Sequence, residues 1–418
     1  MRVAVVGTGI AGLASAWLLS RRHEVHVIER ASRAGGHTHT VEVDGARGPV
    51  GVDTGFIVYN EATYPLLVRL FDELGVATRA SDMSWSLRCE RCDLEYAGNP
   101  AGVLAQPANL ARPGFVRMLS DIARFNRVGR RLLDDPRAAR VPLGRFLADA
   151  GFGHGVRAHY VLPMAAAIWS TGTRGAADMP LGTLLRFFAN HGLLGVTTHH
   201  TWRTVVGGSA SYLAPLTAPF ADRLHLGAGA AAVARDADGV TIRLEDGSTG
   251  RFDVVVLAAH ADQSLGMLAD PSPREKELLG AWDYSDNDTW LHTDTGLLPR
   301  RRRAWASWNY LLDDCSAPGE RVSLSYHMNR LQSLREPRDY VVTLNPQTPP
   351  RPGTRIARMT YRHPTYTAAS VATHDELDEL NGRRRTYFAG AYHRYGFHED
   401  GLYSAVRVAD RLGIRWPA

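Results

Sequence analysis

The chain has 418 residues, 44% hydrophobic and 22% charged, with 40 glycines and three cysteines. That length supports two or three domain-sized units, the sparse, odd cysteine set excludes a disulfide scaffold, and the ordinary apolar content excludes disorder. Formal net charge is +5, carried almost wholly by arginine, with Lys276 the one lysine, and no run reaches the roughly 18 apolar residues of a membrane span, so the sequence is read as a soluble cytoplasmic protein.

In chain order, residues 2–7 (RVAVVG) form an apolar run closed by glycine, residues 10–22 carry small and apolar residues at helical spacing, and residues 24–29 (EVHVIE) alternate. This is a β-turn-α-β opening. Residues 61–204 are helical and aromatic in texture, with helices expected in YPLLVRLFDELG, FVRMLSDIARFNRVGRRLL and PLGTLLRFFANHG. Residues 224–260 return to short strands, turned at Asp238-Gly239 and Asp246-Gly247 and ending in the buried run VVVLAA. Residues 263–382 mix strands (TWLHTD, RVSLSYHM) with Pro-rich loops; then TYFAGAY reads as a strand closed by glycine and SAVRVADRLG (404–413) as an amphipathic helix. The simplest architecture is α/β: a discontinuous Rossmann-like domain (1–60, 205–262 and 383–418) with an α+β substrate domain inserted as 61–204 and 263–382.

Gly7-Thr8-Gly9-Ile10-Ala11-Gly12 fits G-x-G-x-x-G between a strand and a helix. Gly7 allows the tight turn, Gly9 lets backbone approach a pyrophosphate at the helix N-terminus beside Ile10 and Ala11, and Gly12 lets helix and strand pack closely. Glu29, 17 residues after Gly12, can accept hydrogen bonds from ribose hydroxyls, and its charge disfavours a 2'-phosphate. Arg30 follows it at the same strand end. Beyond lies Arg33-Ala34-Gly35-Gly36-His37-Thr38-His39-Thr40.

With that diglycine the sequence resembles the flavin amine oxidase and phytoene desaturase superfamily, whose fingerprint continues into R-x-G-G-R-x-x-[ST]. Here Arg33, Gly35, Gly36 and Thr40 match and His37 replaces the usual arginine. The resemblance implies FAD, bound non-covalently because the family's attachment cysteine is missing near Ala389 to Tyr395. It extends to YFAGAYHRYGFHEDGLYSAVRVADRL, similar to the closing motif, which implies that Gly390 and Ala391 line the cofactor and that Gly401 and Leu402 offer N–H groups to the isoalloxazine. It also implies that Asp53-Thr54-Gly55-Phe56 passes beside the flavin, with Thr38 in the diglycine loop, and that Ala230 bonds adenine through its backbone. More narrowly, GVDTGFIVYNEATYPLL, PMAAAIWST, LRFFANHGLL, WRTVVGGS and GFHEDGL resemble bacterial predicted NAD/FAD-binding proteins, similar in turn to the flavoprotein-like region of some plant cyclopropane fatty acid synthases. That group is associated with modification of acyl chains.

Lys276, in PSPREKELL, sits at a charged helix start and is read as solvent-facing, which leaves no lysine for the flavin site that amine oxidases of the family use. His191 and His398 are the candidate proton-moving groups, one ending an aromatic helix and one beside the closing motif. Tyr59, Trp169, Trp202, Tyr326, Tyr392 and Tyr395 are candidates for the wall of an apolar pocket. Cys89-Glu90-Arg91-Cys92 is read as a surface hairpin turn without a metal, since no second Cys pair exists in sequence. The basic clusters Arg300 to Arg303 and Arg383 to Arg385 lack the aromatics of a nucleic-acid stripe and are read as solvated loops, with a weak membrane-surface contact left open. The reading is an FAD-dependent oxidoreductase that removes a hydride from a C–H bond of a largely apolar small molecule or lipid, an acyl chain above all, and passes electrons to oxygen or a carrier. A redox-neutral double-bond isomerase, an amine oxidase and a non-catalytic flavin-binding accessory to a lipid methyltransferase stay open.

Overall fold

Four apolar residues, Val3 to Val6, are buried on both faces of the strand Arg2–Val6, as the centre of a parallel sheet requires. The computed structural model describes residues 1–195, 200–317 and 319–416, so parts of three expected segments, at 196–199, 318 and 417–418, lie outside the described residues. Around that strand stand, in spatial order, Leu224–His225, Glu24–Ile28, Arg2–Val6, Val254–Leu257 and Thr386–Phe388. All four pairings are parallel. The helix Ile10–Leu19 packs on this sheet and on the C-terminal helix His398–Arg411. That last helix begins six residues earlier than the amphipathic pattern suggested, because an Asp400 carboxylate accepts the Phe397 N–H in a capping arrangement.

The seven-stranded sheet of the inserted part runs Arg355–Pro364, Tyr284–His292, Val341–Leu344, Leu324–His327, Trp308–Leu312, Trp85–Cys89 and Leu94–Ala97. It shares one core with the helices Pro113–Leu132, Leu162–Trp169 and Leu181–Asn190. Segment 61–204, expected to be helical, therefore supplies the hairpin 85–97 to this sheet as well.

The boundary at residue 60 also moves. Helix Pro65–Glu73 buries Leu67, Leu70 and Phe71 against the nucleotide-domain core, and Glu399 accepts from the N–H groups of Leu66 and Leu67 at its N-terminus, both at 3.0 Å. A carboxylate on these orphan donors ties the helix to the C-terminal helix rather than to the inserted sheet. A three-stranded sheet of Tyr59–Asn60, Trp202–Val205 and Thr78–Ser81 forms the junction between the two parts.

Candidate active site

The glycines of the first turn show what space the turn is built around. A Cβ on Gly12 would stand 2.0 Å from the Gly7 carbonyl oxygen, and one on Gly7, at φ +104, would stand 2.8 Å from that of Ala258. A Cβ on Gly9 would meet nothing within 4 Å. Gly9 thus faces an open cradle at the N-terminus of helix Ile10–Leu19, where no side chain caps the helix. Free N–H groups and a positive helix end there suit a pyrophosphate.

Glu29 stands beside the cradle. One of its oxygens accepts from Thr8 N–H (2.9 Å) and Thr8 Oγ1 (2.6 Å), the other from Ala31 N–H (2.8 Å). A carboxylate has about four acceptor positions, so this one is oriented with capacity left for a ribose hydroxyl. Thr8, an "x" of the motif, was not singled out from sequence; its hydroxyl beside the glycines was the available signal. Arg30 lines the cavity at its outer edge, where it pairs with exposed Glu245. On the strand Ala230–Arg235 a register shift falls between Ala230 and Ala232, which leaves the backbone of Ala231 out of the ladder with both Ala230 and Ala231 lining the cavity.

The diglycine loop and the loop of residues 53–56 close on one another. Phe56 N–H donates to the His37 carbonyl at 2.7 Å and Thr54 N–H to that of His39 at 2.9 Å, and a Cβ on Gly55 would stand 2.2 Å from the His37 oxygen. Gly36 abuts Gly9, its Cβ position 3.1 Å from the Gly9 Cα, and Arg33 braces the Gly36 carbonyl at 2.9 Å. Gly36, His37, Thr54, Gly55 and Phe56 line the cavity. Gly35 instead turns inward against Thr38 and Leu213, so its role is the turn at φ +110 and not a cofactor contact. Thr38 is likewise buried away from the cavity, and its hydroxyl bonds Tyr212 Oη and, at 3.1 Å, His398 Nε2.

At the far strand, Gly390 N–H donates to Ser404 Oγ (2.9 Å), and Gly390, Ala391 and Tyr392 line the cavity. The donors expected from Gly401 and Leu402 are engaged elsewhere. Gly401 N–H bonds the Phe397 carbonyl inside the helix, its missing Cβ makes room for Ile10, and Leu402 is buried in the core. The residues of this helix start that do face the cavity are Phe397 and His398.

His398 stacks on Phe56 with ring centroids 3.7 Å apart, and its Nε2 is shared by Thr38 and, at 3.2 Å, Tyr212 Oη. Burial lowers it to about 3, so the imidazole is neutral. His191 lies flat between Phe187 (3.8 Å) and Trp202 (5.7 Å). Its Nδ1 is 2.9 Å from the Phe187 carbonyl, which can only accept, so the proton sits on Nδ1 and the Nε2 lone pair is left buried without a partner among the described residues. Burial lowers His191 to about 4. The sequence also missed a histidine cluster at the opposite wall: His37 lies 4.9 Å from Tyr361 and 5.1 Å from His363, and His260 stacks on Tyr284 at 4.4 Å. Alternation on the strand Arg355–Pro364 puts Tyr361 and His363 on one face, but nothing local shows which loop that face meets.

These loops bound one cavity of about 1510 Å³, larger than the roughly 300–1,000 Å³ of a pocket for one small molecule. Its volume suits a dinucleotide and a second ligand together. Trp169, Trp202, Tyr326, Tyr392 and Tyr395 line it as expected of a wall. Tyr59 does not: it packs in the core against Tyr64 and Phe71. The buried hydroxyls of Tyr366 and Tyr392 have no partner among the described residues, and both tyrosines line the cavity. Lys276 is exposed on the capped helix Pro273–Gly280, outside the cavity.

A parallel sheet whose glycine turn cradles a diphosphate, beneath an inserted domain that closes an aromatic cleft over it, defines the class of two-domain dinucleotide flavoproteins. Residues 10–286 match the family model of flavin containing amine oxidoreductases, and the chain belongs to that family. Its cofactor is FAD, and it is an FAD-dependent oxidoreductase. The fold is similar to that of a CLA-producing fatty acid isomerase from P. acnes (TM-score 0.68, 16% identity, 99% of this chain and 98% of that one). It is equally similar to a putrescine oxidase solved with putrescine (TM-score 0.70, 15% identity, 99% and 100%) and to cyclohexylamine oxidase from Brevibacterium oxydans (0.68, 15%, 99% and 99%). No curated protein matches the sequence. Among the described residues no helix is long and apolar enough to cross a membrane.

Proposed function

We propose that the protein dehydrogenates a largely apolar small molecule, an acyl chain above all, across a C–H bond. The observation that carries this is the chemistry of the inserted-domain wall. Met83, Val103, Leu119, Ile122, Met164 and Ile168 line it between the tryptophans. The two acids among the described lining residues are Glu29, engaged at the nucleotide end, and Asp82, paired with Arg330 at 3.1 Å. Neither is free to hold a substrate ammonium, which disfavours an amine.

FAD, when bound, supplies the hydride acceptor. Forming a carbon–carbon double bond also requires a proton to leave the neighbouring carbon. In this reading His191, with a neutral ring and an Nε2 unpaired among the described residues, takes that proton, while His398, held by Thr38 and Tyr212, supports the ring of Phe56, which lines the cleft. The test is anaerobic mixing of the yellow protein with fatty acids, acyl lipids and amines. Bleaching by acyl substrates and not by amines is the expected result. Bleaching by amines alone sinks the proposal, and double-bond migration without net bleaching replaces it with the isomerase reading.

A further inference from the structure

All three cysteines of the chain, far apart in sequence, meet at one point together with a histidine. Cys89 ends the strand Trp85–Cys89, Cys92 sits in the hairpin turn that follows, and Cys315 lies three residues beyond the strand Trp308–Leu312. The parallel register of these strands sets Leu312 against Cys89, and the pairing runs on past both ends: Glu90 N–H donates to the Leu312 carbonyl (2.8 Å) and Arg91 N–H to that of Asp313 (3.0 Å). That extension carries Cys315 to the Cys-x-x-Cys turn. From the opposite side, the π-helical turn Arg157–Val161 presents His159, whose Nε2 is 3.5 Å from Cys92 Sγ. The three sulfurs and one imidazole nitrogen lie within 4.8 Å of one another, and Cys89 and His159 are buried. The reading of a surface turn without a metal rested on the lack of further ligands near in sequence; in the fold His159 and Cys315 arrive from 67 and 223 residues beyond Cys92.

We propose that Cys89, Cys92, Cys315 and His159 form a structural zinc site. Three thiolates and one neutral imidazole are a closed tetrahedral donor set, and metal–sulfur bonds of about 2.3 Å place tetrahedral sulfurs about 3.8 Å apart, a contraction the 4.8 Å cluster accommodates. Binding releases the three thiol protons to solvent and needs no oxidant. None of the four residues lines the flavin cavity, so redox chemistry on the substrate gives no account of them. The neighbours do reach it: Tyr160 lines the cavity, as does Tyr96, whose hydroxyl donates to the His159 carbonyl at 2.7 Å. The metal would thus clamp the hairpin, the Cys315 loop and the helical layer behind the wall of the substrate cleft.

The test is elemental analysis of untagged holoprotein purified under reducing conditions, followed by titration with a mercurial reagent. About one zinc per chain, released as the three thiols are blocked, is expected. Exchange of zinc for cobalt should give thiolate-to-cobalt charge transfer and tetrahedral d–d bands at longer wavelength than the flavin absorbs. Cys315→Ser and His159→Ala should each lose most of the metal. Reduced wild-type protein with three freely titrating thiols and no zinc overturns the proposal, as does a disulfide between any two cysteines, stoichiometric iron in place of zinc, or folded variants that keep their zinc. Should the variants fail to fold, the wild-type zinc content and cobalt spectrum still decide.

Discussion

The two halves of the cavity are made differently. The nucleotide half is a backbone surface, formed by Gly7, Gly9, Gly36, Gly55 and Gly390 where loops approach to within van der Waals contact. The inserted half is a side-chain surface of tryptophan, tyrosine, methionine and branched aliphatics. A ligand common to a whole superfold can be held by backbone, which varies little with sequence. A ligand peculiar to one protein must be met by side chains. Except at Gly9, which faces open space, the first half therefore tolerates almost no added atom, and the second should trade activity and selectivity more readily than stability.

The largest expected effect separates two glycines of one motif. Gly12→Val drives a side chain into the Gly7 carbonyl and should abolish folding or FAD retention, since overpacking against backbone costs about 1–3 kcal/mol or more. Gly9→Ala places its methyl in open space, so the apoprotein should melt near the wild-type temperature while FAD is lost from the cradle. Equal melting losses in both variants would break the distinction between a packing glycine and a ligand glycine.

Next in size is the side-chain half. His191→Ala should slow anaerobic flavin reduction about 100-fold with little change in FAD content, as expected on losing a general base. His398→Ala removes the partner of Thr38 and Tyr212 and should lower the melting temperature as well. Rapid-mixing spectroscopy with thermal scans on both variants separates these roles. Wild-type reduction rates in both would make the two histidines structural.

The pH dependence of stability should follow the buried histidines. His191, His260, His363, His374 and His393 are each lowered by burial to about 4 and His398 to about 3. Between these values and the ordinary 6.5 the unfolded chain binds more protons than the folded one, so stability falls as pH drops through 6.5 towards 4. Asp53 and Asp400, raised by burial to about 6 and about 7, work the other way, losing stability as pH rises from about 4 into that range. Six histidines outweigh two acids, and the melting temperature should rise from pH 4.5 to 7. A fall over that interval would show that the carboxylates dominate.

The smallest effect is at Lys276. Lys276→Met should leave turnover and FAD content unchanged, because the ammonium is exposed on a capped helix away from the cleft. A large loss of turnover in steady-state assays would restore the amine-oxidase reading of the side-chain half.

What the sequence determined by itself is local. The β-turn-α-β opening, the glycine spacing, Glu29 and the diglycine all lie within the first 40 residues, where turn sterics and helix-end electrostatics act over a few residues. Tertiary structure decided whatever depends on register between distant strands or on which face of an element meets which loop. Thr38 and Gly35 belong to a recognisable motif, yet the fold turns one towards His398 and the other inward. Gly401 and Leu402 were read at a helix start that lies several residues earlier, and a shift of one turn replaces free N–H groups with bonded ones. Tyr59 and Trp202 stand on neighbouring strands of one small sheet, where Tyr59 pairs with Arg203 and Trp202 with Asn60, but only Trp202 reaches the cavity. Cys315 meets Cys89 because two parallel strands pair in one particular register, and parallel pairing between distant segments leaves no local mark in a sequence.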